Sequence, residues 1–421
     1  MTAAYAGSLV CIRCGTTYPE RDAFDGCPRC AADGAPVNLA PEYRITPGSL
    51  PRDDTQPGLF RYRALLPLAE TDVPVSISEG DTPLLPVPAM RSRLGFPNLW
   101  LKDESRNPTQ SYKDRLAAVA VTKARATGAD TVVVATTGNH GAAVAAYAAA
   151  AGMHCVALTL RSVPATMRTL MQAYGAAVVA YERPTDRWTV MAQAVAERGW
   201  APMSGFVSPP IGSNPFGVDG YKTIAFEIYQ QLGGAPDVVV VPACYSDGMA
   251  GIGRGFRDLR ELGLLEGVPR LVGAEVFGPY TRALADGTDT AGPVPADKSV
   301  AFSIASPVGT YQGLAAIRES GGYAVATPDD DEIMAMQLDL AASDGVYLEA
   351  SSVLPLLAVR RLAQDGRLGP DEVVVTIGTS TGLKDIDATA ERLPIPAVAE
   401  PTLTGLDRAL ADLNSSAAVG N

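Results

Sequence analysis

The sequence predicts an α/β protein with two parallel-sheet domains, each covered by helices, behind a small cysteine-bearing module at the amino terminus. Three observations carry this. Short β-branched runs alternate with helical patterns from residue 99 onward, and the loops after those runs concentrate Thr, Asn, Gly, Ser and Lys. Four of the six cysteines form two C-x2-C pairs near the start. Short Val-rich strands separated by helices are the pattern of sheets buried on both faces, where ligands bind beyond the carboxyl ends of strands.

In chain order, the cysteine module comes first. Cys11 and Cys14 are followed after twelve residues by Cys27 and Cys30. Two thiolate pairs suit one tetrahedral zinc, and the metal replaces the core that so small a module lacks. A disulfide pair or a metal-free remnant is the alternative. Being four-cysteine and closed, such a site is structural rather than catalytic. The module is expected to span 1–38, and the Pro-rich stretch 41–88 reads as a linker-like connector. Then come the strand LWLKDE, a helix through DRLAAVAVTKARA, the strand TVVVAT and the Ala-rich helix after Gly141. The alternation continues through HCVALTL, MRTLMQAYG, AAVVAY, WTVMAQAVAERG, YKTIAFEIYQQLG, DVVVVPA, GMAGIGRGFRDLRELG and RLVGAEV. Cys155, in HCVALTL, reads as a small buried hydrophobe. A smaller domain at 106–204, inserted into a larger one at 39–105 and 205–400, and a tail at 401–421 complete the expected division.

Composition excludes several function classes. With 34 Lys and Arg against 46 Asp and Glu the net charge is −12. An acidic surface repels phosphate backbones, so no nucleic-acid partner is expected. The start lacks a basic region followed by a long apolar core, and no stretch approaches the roughly 20 apolar residues of a membrane span. A soluble, cytoplasmic protein with no membrane partner is expected.

Three loops carry residues that a plain connector does not need. In NPTQSYKDR (107–115), Lys113 stands at a predicted helix start, where the dipole disfavours a cation. Its amine is expected to deprotonate easily and to attack an aldehyde, unless it is simply a solvated lysine. In ATTGNHGAA (135–143), backbone N–H groups at a helix start, with Thr136, Thr137 and Asn139, make a site for a carboxylate. In PACYSDG (242–248), a strand, a small-residue loop and a helix start form an anion-binding arrangement. The glycines of GIGRG (251–255) fall inside a predicted helix with Phe256 in the last glycine position, which rules out a dinucleotide fingerprint.

Together EGDTPLL, LKDESRNPTQSYKDR, TTGNHGAAVAAYAA, SNPFGVDGYKTIAFEI, PACYSDGMAGIGRGF and TSTGLKD resemble, in order and spacing, the fold-type-II pyridoxal-phosphate enzymes, and the threonine synthase branch in particular. The resemblance covers residues 11–385. It implies pyridoxal 5′-phosphate and a structural Zn2+ as cofactors, a small amino-acid substrate and a homodimer. It also implies roles. Lys113 matches the lysine that holds the cofactor as a Schiff base and moves the substrate α-proton, and Asn139 the donor to the cofactor 3′-oxygen. Thr379 matches the hydroxyl beside the pyridine nitrogen, a neutral partner that favours elimination or replacement over transamination. Thr136 and Thr137 would hold the substrate carboxylate.

Departures from the family pattern concern the substrate more than the cofactor. Cys244, Tyr245, Ser246, Asp247 and Gly248 replace a Gly- and Asn-rich phosphate loop. There Asp247 is expected to cap the following helix, while Tyr245, Ser246 and backbone N–H groups meet the phosphate. Gln110 stands where glycine is common and Tyr112 where phenylalanine is. His140 replaces a threonine and reads either as an acid or base or as a loop residue. Threonine synthases release phosphate from O-phosphohomoserine, so a second phosphate site is expected, with Arg161, Arg168, Lys102 and Asn214 as candidate donors. The competing enzyme reading is β-elimination or β-replacement on serine, threonine or an O-activated serine. A zinc-ribbon binding protein with a degenerate enzyme body is the competing non-enzyme class.

Overall fold

The computed structural model describes residues 3–22 and 24–419; residues 1, 2 and 23 of the expected module and 420–421 of the expected tail lie outside it. The chain divides into two compact units, Met1–Lys384 and Asp385–Asn421. In the first, β1 (Ala3–Cys11), β2 (Thr17–Pro19) and β3 (Leu39–Ile45) form an antiparallel sheet in the order β2-β1-β3. β4 (Leu84–Leu85) and β5 (Leu99–Asp103) begin a second sheet, which the chain leaves to build a third. That third sheet holds β6 (Thr131–Ala135), β7 (His154–Leu160), β8 (Ala177–Tyr181) and β9 (Ala201–Pro202), all parallel, in the order β8-β7-β6-β9. The chain then returns with β10 (Val238–Pro242), β11 (Arg270–Glu275), β12 (Tyr323–Ala326) and β13 (Val374–Gly378). The second sheet reads β12-β11-β10-β13-β5-β4, parallel except for β4 against β5.

This order positions the site. The last strand, β13, slots between β10 and β5, with Val240 opposite Thr376 and Gly378 opposite Asp103. Three loops far apart in sequence therefore emerge side by side, after Asp103, Pro242 and Gly378. Burial holds the arrangement: Val238–Val241 are fully inaccessible, and each such side chain contributes about 1.5–3 kcal/mol relative to exposure.

Two expectations need correction. The cysteine module's sheet continues through Ile45, because β3 pairs with β1 along its length, so the module does not stop at 38. The stretch 41–88 is not a loose linker either. Its 3-10 helix Gly58–Leu65 buries Leu59, Phe60, Tyr62 and Leu65, and irregular backbone can deliver apolar side chains to a core without any periodicity. The second unit contains the helices Ile386–Ala390 and Leu403–Val419. No helix among the described residues is long and apolar enough to cross a membrane.

Candidate active site

The loops after β5 and β13 are stitched together: the Tyr112 N–H donates to Thr379 O at 2.9 Å, and Ser111 bridges Ser380. This brings Lys113 and Thr379 to one cavity of about 570 Å3, which Thr136, Thr137, Asn139, His140 and Cys244–Asp247 also line. Its size is that of small-molecule sites generally. Lys113 opens the helix Lys113–Ala126, with Nζ 4.8 Å from the Tyr112 ring centroid and 5.8 Å from that of Tyr221. Gln110 adopts φ 61°, the left-handed conformation that explains why glycine suits this position.

The expected neutral amine is corrected by its surroundings. Burial acts to lower the Lys113 pKa, but Tyr112, Asp247 and Cys244 together outweigh it and hold the amine above its ordinary value. Neighbouring side chains outweigh the helix start.

Asn139 is clasped on both edges of its amide. Nδ2 donates to Glu349 Oε2 at 2.9 Å, while Oδ1 accepts from Lys384 Nζ at 2.9 Å and Ser380 Oγ at 3.2 Å. Lys384 is pushed down to about 8 by burial, against the opposing pull of Glu349 and Asp114. The Thr379 hydroxyl lies 2.7 Å from Ser352 Oγ. Thr136 Oγ1 accepts the Gly138 and Gly141 N–H groups at 3.0 and 2.9 Å, so this hydroxyl shapes the loop. A Cβ on Gly141 would stand 2.5 Å from Thr136 Cγ2, so only glycine fits there. His140 hydrogen-bonds the Met203 backbone while its buried Nε2 has no partner; burial and then the Lys113 charge drive its pKa down to about 3. The ring is neutral near pH 7.

After β10, Ser246 takes the left-handed conformation (φ 57°) and precedes the helix Asp247–Glu261 without making a side-chain cap. Asp247 does not cap this helix as expected, because it is itself the first helical residue. Its carboxylate accepts from Ser213 N at 2.8 Å and Gln312 Nε2 at 2.6 Å. Gly248 is absent from the cavity wall; a Cβ there would stand 2.5 Å from the Tyr112 ring, so its role is close packing.

The four expected donors of a second phosphate site do not assemble. Lys102 is buried in a pair with Glu227 at 2.7 Å. Asn214 caps the helix Pro215–Val218, with Oδ1 accepting from Gly217 N and Nδ2 donating to Pro202 O. Arg161 points to solvent and pairs with Glu182, and Arg168 does not line the cavity. Sequence reasoning missed Glu349, Lys384 and Arg187. Lys384 lay within the quoted TSTGLKD string, whereas Arg187 sits in an ordinary amphipathic pattern that carries no signal.

The residues present fit pyridoxal phosphate. The uncapped first turn of Asp247–Glu261 leaves N–H donors for a phosphate, and the Asp247 carboxylate is engaged elsewhere. A lysine amine, an amide and a hydroxyl share the remaining walls. The family model described as "Pyridoxal-phosphate dependent enzyme" matches residues 75–380. The threonine synthase of Methanosarcina acetivorans is 32% identical over 96% of this chain and 98% of its own length. That of Methanocaldococcus jannaschii is 32% identical over 96% and 99%. The chain belongs to the threonine synthase-like pyridoxal-phosphate-dependent enzymes.

It is thus a pyridoxal-phosphate-dependent lyase. Solved structures agree on the fold, that of the type II enzymes. Maize serine racemase superposes with a TM-score of 0.62 at 18% identity, covering 74% of this chain and 91% of that one. The processed form of threonine deaminase isoform 2 from Solanum lycopersicum gives 0.62 at 21%, covering 83% and 97%. Elsewhere in the enzyme, the Sγ atoms of Cys11, Cys14, Cys27 and Cys30 lie within 4.8 Å of one another, and none forms a disulfide.

Proposed function

We propose that this lyase converts O-phosphohomoserine to threonine and phosphate. The observation that carries the reading is the end-to-end match to threonine synthases, over 96% of this chain and 98% of the Methanosarcina relative. When bound, the cofactor supplies an aldehyde for the amine and an electron sink that weakens bonds at the substrate Cα. Lys113 serves as attachment point and as the group that takes and returns the Cα proton. Asn139, held by Glu349, Lys384 and Ser380, would donate from its amide to the cofactor 3′-oxygen. Thr379 would offer the ring nitrogen a neutral hydroxyl. Tyr245, Ser246 and the first-turn N–H groups of Asp247–Glu261 hold the cofactor phosphate, and the 136–140 loop takes the substrate carboxylate.

Incubating purified holoenzyme with O-phosphohomoserine should release phosphate stoichiometrically with threonine. No phosphate, with 2-oxo acid formed from threonine, would replace this reading by β-elimination.

The proposal extends to the module and to the assembly. A tetrahedral zinc with bonds of about 2.3 Å sets neighbouring sulfurs roughly 3.8 Å apart, and the Cys11–Cys30 and Cys14–Cys27 sulfurs are each 3.7 Å apart. Metal analysis should find one zinc per chain, held structurally. We further propose a cytoplasmic homodimer in which 106–204 acts as the smaller domain.

A further inference from the structure

One cation of the cavity has no anionic partner. Arg187, on the helix Pro184–Arg198, is 6% exposed and lines the cavity wall. Nη1 donates to Thr136 O at 2.8 Å and Nε to Pro184 O at 3.2 Å. Carbonyl acceptors orient a guanidinium without neutralising it, and no carboxylate among the described residues pairs with this one. Among the described residues no hydrogen bond engages Nη2. The other deeply buried arginines differ: Arg115 is paired with Glu104 and Glu227, and Arg254 with Asp219. A buried unpaired charge is costly, and a fixed guanidinium fork matches an oxyanion in two contacts. Burial also lowers the Arg187 pKa, against an opposing pull from Tyr245.

We propose that Arg187 is the specificity-determining residue that binds a second oxyanion, a phosphate carried on the side chain of the amino-acid substrate. This rests on the proposed function and supplies the donor that Arg161, Arg168, Lys102 and Asn214 do not. The anchor at Thr136 O ties the guanidinium to the start of the 136–140 loop, on the side of the cavity that takes substrate. The cofactor phosphate belongs to the loop after β10. Trp188, next in sequence, has its ring 6.5 Å from that of Tyr245 and helps to close the wall between them.

The test compares wild type, Arg187→Gln and Arg187→Lys as holoenzymes, titrated with O-phospho-L-homoserine and with L-homoserine while the cofactor's visible absorbance is followed. Arg187→Gln should weaken the phosphorylated ligand at least about 30-fold and Arg187→Lys less, because a lysine keeps the charge but loses the fork. L-Homoserine binding and the affinity of the apoprotein for pyridoxal phosphate should stay within about twofold, the scatter expected when no charge-assisted contact is lost. Equal weakening of both amino acids would mean that Arg187 reads the α-carboxylate or only shapes the loop, and would overturn the proposal. So would a selective loss of cofactor affinity, or no change at all. Failure of wild type to release phosphate sinks the proposed reaction instead; the binding comparison needs no turnover, so the two failures stay distinct.

Discussion

Two buried polar regions of this enzyme lie a few residues apart in sequence and are built on opposite principles. In the first, Arg115 donates to Glu104 at 2.7 and 2.8 Å and to Glu227 at 2.7 Å through each Nη. Lys102 donates to the same Glu227 at 2.7 Å and to Thr82 O at 2.6 Å. Two cations meet two carboxylates, and none of the four residues lines the cavity. In the second, two residues before Arg115 along the chain, Lys113 faces rings and a cavity, Arg187 meets only carbonyls, and His140 Nε2 meets nothing. A closed network holds the loops that carry the site; an open set of donors waits for molecules to complete it. Charge balance, more than burial, separates structural from functional polar groups here.

Substitutions in the two regions should have opposite consequences for activity and stability. The largest effect is expected at Lys113. Lys113→Ala should lower turnover by at least ~10³-fold and erase the cofactor's visible band while leaving thermal stability intact. A retained band would remove the distinction. At Arg115 the pattern should invert: Arg115→Met leaves Glu104 without its cation and should cost about 3–5 kcal/mol in denaturant unfolding. A stability change below about 1 kcal/mol would show that the closed network is not structural.

Smaller effects should follow at the clasp and at the ring. Lys384→Met removes one donor from the Asn139 amide. It should slow turnover about tenfold, the equivalent of ~1.4 kcal/mol, with stability held or raised because a buried amine depressed to about 8 disappears. Unchanged kinetics would make Lys384 a bystander. For His140, the folded pKa of about 3 lies below the ordinary 6.5. The unfolded chain therefore takes up a proton that the folded one refuses, and stability falls as pH drops from about 6.5 toward about 3. His140→Asn should flatten the melting-temperature profile across that window, and an unchanged slope would place the acid sensitivity elsewhere.

Much was legible without coordinates. Val-rich strands and the loops after them announced parallel sheets, and Lys113, Asn139, Thr379 and Cys244–Asp247 meet in one cavity. What stayed hidden lacked a local signature. The 58–65 helix is aperiodic yet buried, Asn214 and Lys102 carry the chemistry of phosphate donors yet serve a cap and an ion pair, and Arg187 looks like any solvated helix arginine.

The alternating strands and helices, the lysine, the loops at helix starts and the paired cysteines were local features, because each depends on residue types within a few positions of one another. Which polar groups are satisfied was set by long-range folding. Insertion of β13 between β10 and β5 joins residues more than 250 positions apart. Whether a buried cation finds a carboxylate, as Arg115 does, or is left with carbonyls, as Arg187 is, depends on those long-range neighbours.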